Sequence, residues 1–573
     1  MRIKSTSEEE PFLSTSDPNA NKGGFRTVPF IIANEAFERL ASVGLMPNMI
    51  LYLTRDYGMK TTEATNVLLL FTAASNFLPV LGAFLADSLV GRYPMIAFGS
   101  IASLLGMVLL WITTMIPKSS SACYNVSDTC SSPTAFELLP LHASFVLMAF
   151  GAGGIRSASL AFGVDQLTYR DKEERIKDSY FSWYYASTAV AALVALSAIT
   201  YIQDQMGWKV GFGIPVVLMF ISTLSFFLAS PFYVKLDAKE NLFSGLAQVL
   251  VASFKNRHLQ HPQVDMTTIY HHGKDSKLVM PSDKLRFLNK ACIIKDPSQD
   301  LTPDGRASNP WNLCTVDQVE ELKVIFKVFP IWISGIMLAV GLSQNSFVVL
   351  EASSMDRHIT SNFQIPAGSF DTFMLVSVVI CIVFYDRVFV FMASRIMGRP
   401  TRVGVKQKMG LGMFSSCLAI ASMAAVESIR RKTAVEQGYS EHPEAAVNIS
   451  AMWLLPKEIL DGIAEAFNPV GQNEFYLTEM PQSLSCMASS LVGLGTSAGS
   501  LVTSLILNLV DKFSSSGGNA SWLSSNINKG HYEYYYGLLC VLCLLNFVYY
   551  LYCSRAYGPC KGELNKVLDE GVD

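Results

Sequence analysis

Long apolar blocks alternate with short polar breaks along the chain, and each block has the length of a membrane-crossing helix, about 20 residues. Blocks start near residues 28, 64, 93, 141, 180 and 210, and after a polar stretch a second set starts near 320, 368, 408, 450, 484 and 534. The pattern predicts an all-α membrane protein with twelve transmembrane helices in two six-helix bundles. Its parts are a disordered tail over 1–24, bundles over 25–236 and 318–554, a cytoplasmic linker over 237–317 and a tail over 555–573. Within the linker, Leu242 to Phe254 is amphipathic and is followed by Lys255 and Arg257, as in a helix lying on a membrane surface.

The pattern is broken where charges enter the blocks. Ile31-Ile32-Ala33-Asn34-Glu35-Ala36-Phe37-Glu38-Arg39-Leu40 puts three charges into the first span. At a helix centre each costs roughly 2.5–3.5 kcal/mol. Spacings of three and four place Glu35, Glu38 and Arg39 on one arc, which must face protein or water. The fourth block holds Gly151-Ala152-Gly153-Gly154-Ile155-Arg156, and the tenth holds Lys457, Glu458, Asp461 and Glu465. At about 1.5 Å per residue, Arg39, Arg156 and Glu465 all fall ~21–23 Å from the outer face. Charges from both bundles are therefore expected to meet near the midplane, as in transporters built from repeats. Two carboxylates beside one guanidinium in the first span also leave a spare acid. In the turn after the second block, Gly82, Asp87, Gly91 and Arg92 suit a loop that repacks when helices slide.

Composition adds exclusions. Half of the 573 residues are hydrophobic and 16% are charged, and a net charge of −3 gives no reason to expect nucleic acid. The first residues, Met1 to Gly24, carry no apolar signal-peptide core. Neither a metal frame nor a cofactor motif stands out. Cys540 and Cys543 read as packing residues, and His258, His261, His271 and His272 as solvated loop residues. No surface nucleophile or His cluster suggests an enzyme.

With the termini in the cytoplasm, Arg170, Lys172, Arg175, Lys177, Arg387, Arg395, Arg399, Arg402, Lys406 and Lys408 lie inside. Arg430, Arg431 and Lys432 run against that bias. Sequons at Asn125, Asn448 and Asn519 all fall on the opposite side as glycosylation candidates, and Cys123 and Cys130 flank the first as a candidate disulfide. The plasma membrane is the expected location, and the tonoplast gives the same topology.

Several segments together resemble a known family. Glu35-x-x-Glu38-Arg39, Gly82-x(4)-Asp87-x(3)-Gly91-Arg92, Gly153-Gly154-Ile155-Arg156, Phe162-Gly163-x-Asp165-Gln166 and Phe181-Ser182-x-Tyr184-Tyr185 resemble the proton-dependent oligopeptide transporters of the major facilitator superfamily. Leu285 to Ala291, then Asn309-Pro310-Trp311-x-Leu313-Cys314-Thr315-Val316, is similar to the plant nitrate/peptide branch, and Pro29 to Glu35 to its first subfamily. The resemblance implies an alternating-access transporter driven by proton symport, with the proton on the Glu-x-x-Glu-Arg motif. It also implies gating between Arg156 and Glu465; Lys457, Tyr184 and Gly341 are further substrate or gating candidates. Members carry nitrate, peptides, glucosides or plant hormones.

Three positions depart from the family pattern. Arg156 stands where Lys is common, Ala189 and Ala191 replace Asn and Gly, and Pro456-Lys457-Glu458 replaces Pro-Gln-Tyr. Arg156 stays charged and can fork a carboxylate. The resemblance implies a cavity-facing His in the seventh helix of nitrate specialists, and the matching position here is Gly341. The Thr expected after Gly91-Arg92-Tyr93 for a phosphorylation switch falls at Met95. The expected partners are therefore a proton, the bilayer and a small anion, foremost a gibberellin- or jasmonate-like carboxylate. A low-affinity nitrate transporter and a receptor on a transporter fold are the competing readings.

Overall fold

The computed structural model describes residues 22–116, 133–170, 174–236, 242–259, 269–273, 280–398, 402–481, 484–516 and 520–560. Twelve principal helices are found among them. The first half has α1 (Val28–Leu45), α2 (Thr61–Leu85), α3 (Arg92–Thr113), α4 (Ala135–Arg170), α5 (Glu174–Val194) and α6 (Thr200–Leu228). The second has α7 (Val316–Leu342), α8 (Asp371–Phe384), α9 (Val405–Glu436), α10 (Leu455–Glu479), α11 (Ser485–Ser514) and α12 (Tyr532–Tyr557). The described chain ends and the linker share one face, the terminal face; the other is the distal face.

By length and hydropathy, nine helical stretches among the described residues can cross a membrane. One of them, Ile176–Leu228, comprises two spans: the helical path of α5 runs on to a break inside α6 at Gly207, whose φ is +77°. The two membrane-length helices outside these stretches are α1 and α10. Each carries three or more charged residues within the span, so a hydropathy test fails where the site lies.

Close helix approach draws that site together. Gly154 lies against α3, where an added Cβ would stand 2.9 Å from the Gly99 Cα, and Gly153 lies against Leu78 of α2. Small residues on two sides of α4 let backbones touch and carry Arg156 inward. Asn34 ties α1 to α3 and α6 through Ser100 (3.3 Å) and Ser222 (2.8 Å). At the terminal face, Gly91 adopts φ +88°, open to glycine without strain. Arg92 there binds Asp87 at 2.9 Å and Asp165 of α4 at 2.8 Å, while Gly82 abuts the Gly153 carbonyl.

The halves are joined from the distal face to mid-depth. Asn48 accepts from the Gly368 N–H at 3.0 Å and donates to Gln203 at 3.2 Å, and Ser369 donates to the Leu196 carbonyl. Deeper, Ser504 and Asn508 bond Asn66, and Ser497 bonds the Ala73 carbonyl. In the linker, the helix Leu242–Lys255 buries Val249 and Ala252 against Leu288, Cys292 and the first turns of α7. Leu250, Val251 and Phe254 stay exposed on its other edge.

Two expectations are corrected here. His271 is no solvated loop residue: it is buried, with its backbone bonded to Cys292 and Val316. Arg430 is no loop charge, because α9 continues to Glu436 and buries it against Glu427 (2.6 Å) and Asn528 (2.7 Å). Arg431 likewise faces Glu533 at 3.5 Å. Asn448 is exposed at the distal face; Asn125, Asn519, Cys123 and Cys130 lie outside the described residues.

Candidate substrate and proton site

Glu38 sits at full burial in the middle of α1, and Arg156 of α4 forks it. Nε and Nη2 each donate to one carboxylate oxygen at 3.2 Å, and Nη2 also donates to Ser42 at 2.7 Å. A lysine cannot make this two-pronged contact, so the departure at position 156 has a geometric consequence. With Glu38 taken, Glu35 keeps a buried oxygen, Oε2, with no hydrogen-bond partner; Tyr184 and Ser159 stand beside it. Among the described residues no carboxylate pairs with Arg39, which stands next to Arg156.

Both guanidinium groups line a central cavity of about 520 Å³ between the halves. Leu68, Phe71, Leu338, Leu342 and Val349 supply apolar wall, and Glu465 of α10 lines it from the second half. The size is that of a pocket for a small organic molecule.

Residues 93–523 match the POT family. The chain belongs to that family. It is 50% identical to Protein NRT1/PTR family 1.2 of Arabidopsis thaliana, over 97% of this chain and 94% of that protein. It is 51% identical to Protein NRT1/PTR family 1.1 of the same plant, over 97% and 95%. The fold is similar to that of an auto-inhibited POT family peptide transporter, with TM-score 0.68 and 19% identity over 92% of this chain and 97% of that one. PepTSo is similar at TM-score 0.67 and 16% identity over 93% and 98%. The chain is an integral membrane transporter of the NRT1/PTR group and not an enzyme.

In this NRT1/PTR transporter Arg39, Arg156 and Glu465 share one cavity, yet Arg156 is held by Glu38 and Glu465 forms no ion pair among the described residues. Lys457 is also elsewhere, buried beside Glu458 and Asp461 nearer the distal end of α10. Gly341 is not in the cavity wall: a Cβ there would meet Ser416 and Ile420 of α9. Each helical residue turns by about 100°, so one position separates wall from packing. Leu342 and Ser343 line the cavity instead, and the wall carries neither ring nor charge there. Ser42, Asn345 and Asp371 were not singled out by the sequence, although Asp371 heads a span, where an acid reads as an ordinary first-turn residue.

Proposed function

We propose that the chain is a proton-coupled symporter that moves a small anionic solute by alternating access, with gibberellin- or jasmonate-like acids as the substrate class. The observation that carries this reading is the Arg156 fork on Glu38 at the wall of a cavity that also has a broad apolar side. A substrate carboxylate and Glu38 compete for the same guanidinium. Binding the substrate frees Glu38, and a freed buried carboxylate takes a proton. Anion and proton thus load together. Arg39 offers a second guanidinium, and the apolar wall suits the body of the acid. With the termini and linker cytoplasmic, the distal bonds close the outer side in this conformer. Glu465 is the acid positioned to take Arg156 when the halves rock. The membrane is proposed to be the plasma membrane, with Asn448, Asn125 and Asn519 outside.

Two adjacent guanidinium groups also suit a small inorganic anion, so low-affinity nitrate transport is the second reading. The test is uptake of labelled gibberellin, jasmonate and nitrate in a heterologous cell at acidic and neutral external pH. Accumulation of a hormone acid that rises with external acidity and is lost in Glu38→Gln, with surface expression retained, is expected. High-affinity nitrate uptake without any hormone acid would overturn the substrate class. Binding without accumulation would indicate a receptor.

A further inference from the structure

The second half holds a buried charge cluster of different make-up. Lys457 Nζ lies 3.0 Å from Glu458 Oε1, 3.1 Å from Asp461 Oδ2 and 3.3 Å from Asn345 Oδ1. Asn345 in turn donates to Asp371 Oδ2 at 3.4 Å. Two carboxylates therefore meet one ammonium directly, and a third is joined to it through Asn345. Lys457, Glu458 and Asp461 are 3%, 0% and 1% exposed. Glu458 Oε2, Asp461 Oδ1 and Asp371 Oδ1 are buried with no hydrogen-bond partner.

Among the described residues the surroundings supply no further cation. Glu465 follows on α10. Glu351, in the short helix after α7, is bound by Tyr536 of α12 and faces Lys457. On α9, Arg430 is consumed by Glu427. Cys543 of α12 faces Asp461. If Asp371, Glu458 and Asp461 were all ionised, two negative charges would stand uncompensated in the interior. Neighbouring buried carboxylates relieve that by holding protons in common. A metal ion is disfavoured, because the ammonium already occupies the place between Glu458 and Asp461.

We propose that Asp371, Glu458 and Asp461, arranged around Lys457, form a second proton-binding site, separate from Glu35 and Glu38, that exchanges with the central cavity through Asp371 and Asn345. Both of those residues line the cavity. A transporter that loads a proton in each half carries a monovalent anion with net positive charge, so membrane voltage drives it. The proposed symport needs only the first-half site and stands if this one fails.

The test uses purified full-length protein in lipid and needs no substrate. Infrared difference spectra are recorded as the pH is raised, in sodium-containing and sodium-free buffer. In a Glu35→Gln/Glu38→Gln background a carboxylic-acid carbonyl band is expected to persist. It should vanish when Asp371→Asn, Glu458→Gln and Asp461→Asn are added. If that variant does not fold, Asp461→Asn decides: the band that persists in the first-half background should lose intensity or change its pH midpoint. Loss of the band in the first-half variant alone, its survival in the fully substituted one, or a response to sodium instead of pH would overturn the site. An unchanged band and midpoint in Asp461→Asn would do the same.

Discussion

The two halves handle buried charge in opposite ways. In the first, two acids (Glu35, Glu38) meet two guanidinium groups (Arg39, Arg156), and the cavity wall carries the spare cation. In the second, three acids stand around one ammonium, and the spare groups are carboxylates. The first region also sits ten residues into α1, or about 15 Å, whereas Lys457 to Asp461 lie within about 10 Å of the distal end of α10. A balanced set with a free cation suits an anion and a proton arriving together. An acid-rich set suits protons alone.

The comparison makes the largest stability effect fall in the second half. Lys457→Met removes the one cation that, among the described residues, is within reach of three carboxylates. Breaking a buried pair in this way costs roughly 3–5 kcal/mol. The deficit should shrink as pH falls, because protonation removes the repulsion, and thermal unfolding in lipid at several pH values measures it. A deficit that grew in acid would contradict the acid-rich reading.

Arg156→Ala should cost less stability, about 1.5–3 kcal/mol, since Arg39 remains beside the orphaned Glu38. Its transport loss should nevertheless be complete for carboxylate substrates, while Arg156→Lys keeps the charge but not the fork and recovers part of the uptake. Equal uptake by Arg156→Lys and the unaltered protein would show that the fork is dispensable. On the other side, Asp461→Asn removes an excess charge and leaves Lys457 its 3.0 Å contact with Glu458. It is expected to change stability by less than about 1 kcal/mol, in either direction.

How far the sequence foretold this differs between the halves for a physical reason. Charges inside an apolar block are conspicuous, so Glu35, Glu38, Arg39, Arg156 and the α10 group were legible, as were the twelve spans. Depth along a helix is also legible: Arg39, Arg156 and Glu465, which it puts at one level, all line the cavity. Azimuth is not. The partner expected for Arg156 was Glu465, whereas Glu38 holds it in this conformer, and one residue of rotation moved Gly341 out of the wall and onto α9. Asp371 and Arg430 were hidden at span ends, where charge is ordinary. Only the packing of α8 and the extra turns of α9 reveal that both are inside.

The smallest stability effect is expected at Glu465, which lies between the two regions and belongs to neither. It lines the cavity without an ion pair among the described residues, so Glu465→Gln removes no contact that holds this conformer together. Its unfolding should shift by no more than about 0.5 kcal/mol, the range of substitutions away from such contacts. Transport tells a different story if Arg156 leaves Glu38 for Glu465 when the halves rock. Glu465→Gln then deprives the opposite conformer of its pair, and cycling slows although the observed state is intact. A double-mutant cycle over Arg156→Gln and Glu465→Gln, read in exchange rate, measures the link. Coupling between the two, with the double variant cycling better than Arg156→Gln alone, would place the partner exchange on the transport cycle. Strictly additive losses would leave Arg156 bound to Glu38 throughout and confine the gate to other contacts.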